Sequence, residues 1–181
     1  MKQFNNLIVL GPLLYAIHHF EEHEVFNFIE WKLKYFNHSA AALSTEAILS
    51  ILVFVIVGFV FLHLVKNNKA TAYIILYILF AIQIINAVFH IFFSLYFNDF
   101  RPGVITSILV YLPGNYLIVR AAFQEGYLKS STEYGFIALL GTATFILFEI
   151  YGPLVIVLSI ISSLLYFVWF NKRLAAKGQH T

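Results

Sequence analysis

Residues Tyr134 to Phe170 read YGFIALLGTATFILFEIYGPLVIVLSIISSLLYFVWF, 37 residues whose one charged side chain is Glu149. About 20 apolar residues suffice to cross a bilayer, so this run is too long for one crossing. Gly152-Pro153 stands near its middle, where proline removes a backbone donor and collides with the preceding turn. The run therefore predicts two antiparallel helices rather than one.

Four more apolar segments precede it. They run from Phe4 to about Glu22, from about Leu43 to Val65, from Ala72 to Phe97, and from about Val104 to Phe123, the last interrupted by Pro113-Gly114-Asn115. Residues 23–44 form a polar, aromatic segment with Trp31, Lys32 and Lys34 that suits a short interfacial helix. The expected fold is all-α: a polytopic transmembrane helix bundle of about six spans, a four-helix core plus a C-terminal pair.

Basic residues test that count. With six spans, Lys2, Lys66, Lys69, Arg120, Lys129, Lys172, Arg173 and Lys177 fall on one side, against Lys32, Lys34 and Arg101 on the other. Positive residues concentrate on the cytoplasmic side, which predicts a multi-pass protein of the cell membrane with both termini cytoplasmic. Were Gly152-Pro153 only a kink, the tail would cross over and the asymmetry would vanish.

Composition agrees. The chain has 181 residues, 61% hydrophobic and only 11% charged, with a mean hydropathy of +0.83; soluble domains carry about 25% charged residues. A formal net charge of +2 gives no reason to expect a nucleic-acid partner. There is no cysteine, which excludes disulfides and thiolate ligands. The expected partners are membrane lipids and an apolar small-molecule substrate; the oligomeric state is not encoded in any visible pattern.

The chemistry concentrates in Tyr15-Ala16-Ile17-His18-His19-Phe20-Glu21-Glu22-His23-Glu24. Ionisable groups inside a membrane segment are costly, roughly 2.5–3.5 kcal/mol each for charges at the centre, and point to function. Helical rise gives their depth. His18 lies roughly 21 Å along the first span from Phe4, and His90 roughly 27 Å along the third from Ala72. Both distances start from the same membrane face. Glu46 begins the second span, and Glu149 ends the fifth, near the opposite, extracytoplasmic face. Spacing refines the set: His18 shares a helical face with Glu21 and Glu22, His19 also faces Glu22, Tyr15 lies a turn below His18, and Asn86 pairs with His90 at i, i+4.

Buried carboxylates must be protonated, paired or bound to a cation, and imidazole with carboxylate suits zinc, iron or manganese. The expected ligands of a divalent metal ion are His18, Glu22, Glu46 and His90. Glu21 or Glu22 would act as general acid or base, with Asn86, His19, Tyr15 and Arg101 around them. For Glu46 a plainer role is also open, since Ser44-Thr45-Glu46 is a good helix-start sequence.

His18-His19-Phe20-Glu21-Glu22 resembles the signature of the HXXEE domain family, small multi-span bacterial membrane proteins. Asn86-Ala87-Val88-Phe89-His90 and Arg101-Pro102-Gly103-Val104-Ile105-Thr106 also resemble its pattern, and the likeness extends over about residues 5 to 123. Residues 1–125 are thus expected to form an HXXEE-like four-helix membrane unit, and 126–181 a C-terminal helix pair with a basic tail. The resemblance supports a site and supplies no substrate. The functions that fit are a metal-dependent enzyme on a lipid or other apolar molecule, a metal-free acid–base isomerase-like enzyme, a proton- or cation-coupled carrier, or an accessory subunit without chemistry.

Overall fold

The structure, a computed structural model, describes residues 3–36 and 44–178. Lys2, Leu43 at the start of the second expected span, and residues 37–43 of the polar segment lie outside them. The described chain is helical. It comprises α1 (Gln3–Ile8), α2 (Gly11–Phe20), α3 (Phe28–Phe36), α4 (Thr45–Lys66), α5 (Lys69–Leu79), α6 (Ile85–Tyr96), α7 (Val104–Thr106), α8 (Leu112–Gln124), α9 (Ser131–Tyr151) and α10 (Leu154–Gly178). Of three π turns, Phe80–Ile84 and Ser107–Tyr111 lie within continuing helix, while Glu21–Val25 closes α2 and the chain leaves it extended at Phe26.

Among the described residues, five stretches are long and apolar enough to cross a membrane: Glu46–Lys66, Lys69–Tyr96, Val104–Gln124, Ser131–Tyr151 and Leu154–Arg173. They are apolar but face outward. The best 18-residue window of Glu46–Lys66 has a hydropathy of 3.0 and is only 22% buried; for Ser131–Tyr151 the buried share is 11%. Phe54, Phe61, Phe136, Leu139 and Leu165 are exposed. Apolar surface on that scale belongs against lipid. Lys69–Tyr96 is the most buried span, and it forms the spine on which α4, α9 and α10 pack.

The first segment corrects the expectation of one unbroken helix from Phe4 to Glu22. It turns at Val9–Leu10 between α1 and α2. Pro12 is the cause: its ring clashes with the carbonyl of Ile8 and it has no N–H to donate. The segment still runs the length of the bundle. At one end Phe4 donates its N–H to Glu125 (2.7 Å) and packs against His63 and Tyr127; at the other His18 meets Thr106 and His90.

Pro113 does not interrupt the fourth span. The π turn Ser107–Tyr111 precedes it and moves the Leu112 N–H to the carbonyl of Ser107. The wider turn accommodates the ring without breaking the helix. The break at Gly152-Pro153 is real: α9 ends at Tyr151, Gly152 has φ +66°, and α10 returns along α9 and α5.

α9 meets the spine through Gly141. A Cβ there would lie 2.7 Å from Phe80 and 3.2 Å from the backbone nitrogen of Ala81, so glycine sets this approach. With α4, α5 and α10, α9 encloses a cavity of about 530 Å³.

Candidate functional site

Glu21 and Glu22 are adjacent in sequence and do different things. The π turn that begins at Glu21 aims the two carboxylates at different elements. Glu21 reaches the start of the fourth span. Its Oε1 accepts from the backbone N–H of Gly103 and Ile105, both at 3.1 Å. Its Oε2 accepts from the N–H of Thr106 (2.6 Å) and from the Thr106 hydroxyl (2.5 Å). A carboxylate at the first turn satisfies donors that lack intrahelical partners and opposes the positive end of the helix dipole.

Those bonds set the tautomer of His18. The Thr106 hydroxyl gives its proton to Glu21, so at 2.8 Å it can only accept from Nδ1 of His18. Nε2 of His18 is then the unprotonated nitrogen. The Asn86 amide donates to it at 3.2 Å, and Glu22 Oε2 lies 3.7 Å away. His90 completes the group: its Nε2 is 3.0 Å from Glu22 Oε1, while its Nδ1 has no hydrogen-bond partner although the Pro102 carbonyl is near. The His18 and His90 rings meet edge to face at 4.8 Å, and Tyr111 stacks on His18 at 4.2 Å.

Gly103 makes this convergence possible. It has φ +92°, and a Cβ on it would lie 2.7 Å from His90 Cε1 and 2.9 Å from His18 Cε1. The backbone passes over both rings where no side chain fits.

Among the described residues, two groups could hold a metal ion: His18, Glu22 and His90, and His19, Glu22 and His23. The structure thus brings together three of the four expected ligands. Glu46 falls in neither group. It lies exposed in the first turn of α4, where its charge acts on His19, and Ser44 caps that helix by accepting from the N–H of Ala47. Tyr15 is buried beside His19. Glu149 is paired with Lys32 at 3.1 Å.

Arg101 is 1% exposed. Its guanidinium lies 4.2 Å from the centre of Phe89 and 4.7 Å from that of Trp31, with Phe28 and Phe93 closing a box around it. It donates through Nη1 to the Phe89 carbonyl. Burial pulls its pKa down to about 10 against the opposing charges of Glu22 and Glu149, so it stays protonated at neutral pH.

The cavity begins at this cluster. His19, Glu22, His23, Asn86 and Arg101 line its polar end, and mostly apolar side chains such as Leu52, Val55, Ile156 and Ile160 line the remainder, with the hydroxyls of Tyr77, Thr144 and Ser159 among them. Gln83, Asn115 and His63 do not line it. Gln83 donates to the Gly11 carbonyl and accepts from Asn115. His63 is tied at both nitrogens, to Thr71 (2.8 Å) and Asn5 (3.2 Å).

Reading the sequence assigned no role to Thr106, Gly103 and His23, although the first two stand in the family-like segment 101–106. His23 was recoverable from its i, i+4 spacing to His19. The other two act from a distant loop, which no local spacing reveals.

A family model described as a protein of unknown function with HXXEE motif matches residues 9–118. No curated protein and no solved structure matches the chain. The matched region is more than half of the chain and contains the motif His18-x-x-Glu21-Glu22 with every residue of the buried His/Glu cluster, so the chain belongs to the HXXEE family.

Proposed function

We propose that this chain is a multi-pass protein of the cell membrane, with both termini cytoplasmic, that binds a divalent metal ion and works as an enzyme on a lipid or other apolar small molecule. His18, Glu22 and His90 hold the ion, which is zinc, iron or manganese. The observation that carries this is the position of the Glu22 carboxylate, 3.0 Å from one ring nitrogen and 3.7 Å from another. Ligands about 2.0–2.1 Å from a tetrahedral ion stand roughly 3.3 Å apart, between those two values. Two imidazoles and one carboxylate with open positions suit catalytic zinc and non-haem iron alike.

The surroundings support the assignment. The chain from Glu21 through Thr106 to Nδ1 of His18 is an outer support that orients a ligand imidazole. Glu21, with four donors on its two oxygens, positions other groups; Glu22 is the carboxylate left for the ion, or, in a site without one, for proton transfer. The cavity supplies an apolar chamber whose polar end is the cluster itself.

A metal-free acid–base enzyme is the second reading. It is favoured by Asn86, whose amide already occupies the lone pair of His18 Nε2. A carrier has less support, because the polar residues beyond the cluster are bonded among themselves: Gln83 to Asn115, His63 to Thr71 and Asn5, and, within the cavity wall, Tyr77 to Thr144 and Ser159. Metal content separates the first two. Purified wild type should retain metal after desalting, and His18→Ala and His90→Ala should lose it. Equal content in all three would remove the metal and leave the acid–base reading.

A further inference from the structure

We propose that Glu22 bridges two cations rather than serving one. The second, outer ion is held by His19 and His23. This rests on the metal reading above and extends it to a two-ion site.

The outer group is built as a site of its own. His19 and His23 are one turn apart, with ring centres 4.3 Å apart. One nitrogen of each and a Glu22 oxygen lie within 4.8 Å of one another. No ring nitrogen of His19 or His23 has a hydrogen-bond partner among the described residues. That differs sharply from His63, whose two nitrogens are both bonded to side chains. His63 is what a structural histidine looks like in this fold; His19 and His23 hold their lone pairs unused beside a shared carboxylate.

The two groups also differ in access. His18 and His90 are sealed, 0% and 1% exposed, and neither lines the cavity. His19, Glu22 and His23 do line it. The inner ion would therefore order the site, and the outer ion would meet the substrate. Glu22 supplies the bridge: its Oε1 lies by His90 and its Oε2 by His18, and one of these oxygens also comes within 4.8 Å of ring nitrogens of His19 and His23; bridged pairs stand about 3.5–4 Å apart and clamp both oxygens of a displacement. Two divalent ions beside one carboxylate leave positive charge, which the charge of Glu46, already acting on His19, partly offsets. That excess also favours a substrate with an electron-rich oxygen at the end lodged beside His23.

The test is stoichiometry with manganese(II). Wild-type protein in detergent is loaded with manganese(II), desalted and analysed for metal per chain, with electron paramagnetic resonance on the same samples. Two ions per chain and a spin-coupled signal are expected. His23→Ala and, independently, His19→Gln should each retain one ion with an uncoupled signal, and adding His90→Ala should remove it. One ion in wild type, unchanged by either substitution, overturns the bridge and leaves the single-ion reading intact. No ion in wild type overturns both. Because wild type alone decides between one and two, a variant that fails to fold does not rescue the proposal.

Discussion

Glu21 grips Thr106 twice, at the backbone N–H (2.6 Å) and at the hydroxyl (2.5 Å). The second of these bonds leaves the hydroxyl only one way to serve His18, as an acceptor for Nδ1–H. A helix cap and a ligand tautomer are therefore one device. Thr106→Val keeps the shape and the backbone bond and removes the relay. Metal affinity should fall about 10–100-fold, the usual effect of losing an outer support, and stability should fall by about 1–3 kcal/mol because the buried Nδ1–H of His18 loses its acceptor. Titration with zinc and a melting curve on the same sample check both halves.

The neighbouring glutamates should separate in their effects. Glu21→Ala abandons three backbone donors and a hydroxyl, so unfolding free energy should drop by about 3 kcal/mol or more, given about 1–3 kcal/mol per buried unsatisfied group. Glu22→Ala removes a carboxylate that makes no helix-capping bond and should spare stability while abolishing metal retention. Denaturant unfolding and metal analysis of the two variants decide it. Equal destabilisation would contradict the division of labour.

Gly103 should tolerate no side chain. Gly103→Ala forces a Cβ to within 3 Å of both His18 and His90 and strains a residue at φ +92°. The rings must move apart, so metal retention should be lost and stability lowered by about 1–3 kcal/mol, the range for strained backbone and overpacking. Gly58→Ala, with open space around its Cβ, is the matched control and should behave as wild type.

Depth along the helices was legible in the sequence, and direction around them was not. Counting residues along the spans placed His18, Glu22 and His90 in one slab near the same end, and the structure joins them. Glu46 stands at the same end yet faces outward, because α4 is apolar on every side and no periodic stripe marks its inner face. The three π turns were invisible for a related reason: each shifts the helical phase by one residue, and apolar sequence has no phase to disturb. The turn at Val9–Leu10 was legible in principle, since Gly11-Pro12 stands beside it as Gly152-Pro153 stands beside the break that was found.

The contact between α3 and the turn before Arg101 should respond to pH through Lys34 and Asp99. Lys34 donates to Asp99 at 2.8 Å and Tyr35 donates to the same oxygen, tying α3 to the turn before Arg101. The hydrogen bonds hold the Asp99 carboxyl below its usual pKa and raise Lys34 to about 12. A lowered carboxyl contributes above its unfolded value, near about pH 4, and the contribution is lost as pH falls through the folded value. A raised amine contributes below its unfolded value and loses that as pH rises through about 12. The tie should therefore hold between about pH 4 and pH 10. Hydrogen exchange of α3 amides should accelerate below that window, and Asp99→Asn should show the faster exchange at neutral pH.

The chamber should be separable from the metal. Ile156 on α10 is buried and lines the cavity with Val55 and Ile160. Ile156→Trp would fill space without touching His18, Glu22 or His90. Binding of a fluorescent fatty-acyl probe should weaken about tenfold or more, since losing one well-buried side-chain equivalent of apolar contact removes about 1.5–3 kcal/mol. Metal content should stay at the wild-type value. If the probe binds both proteins equally, the cavity is not where an apolar ligand goes, and α9 and α10 serve only to shield the spine from lipid.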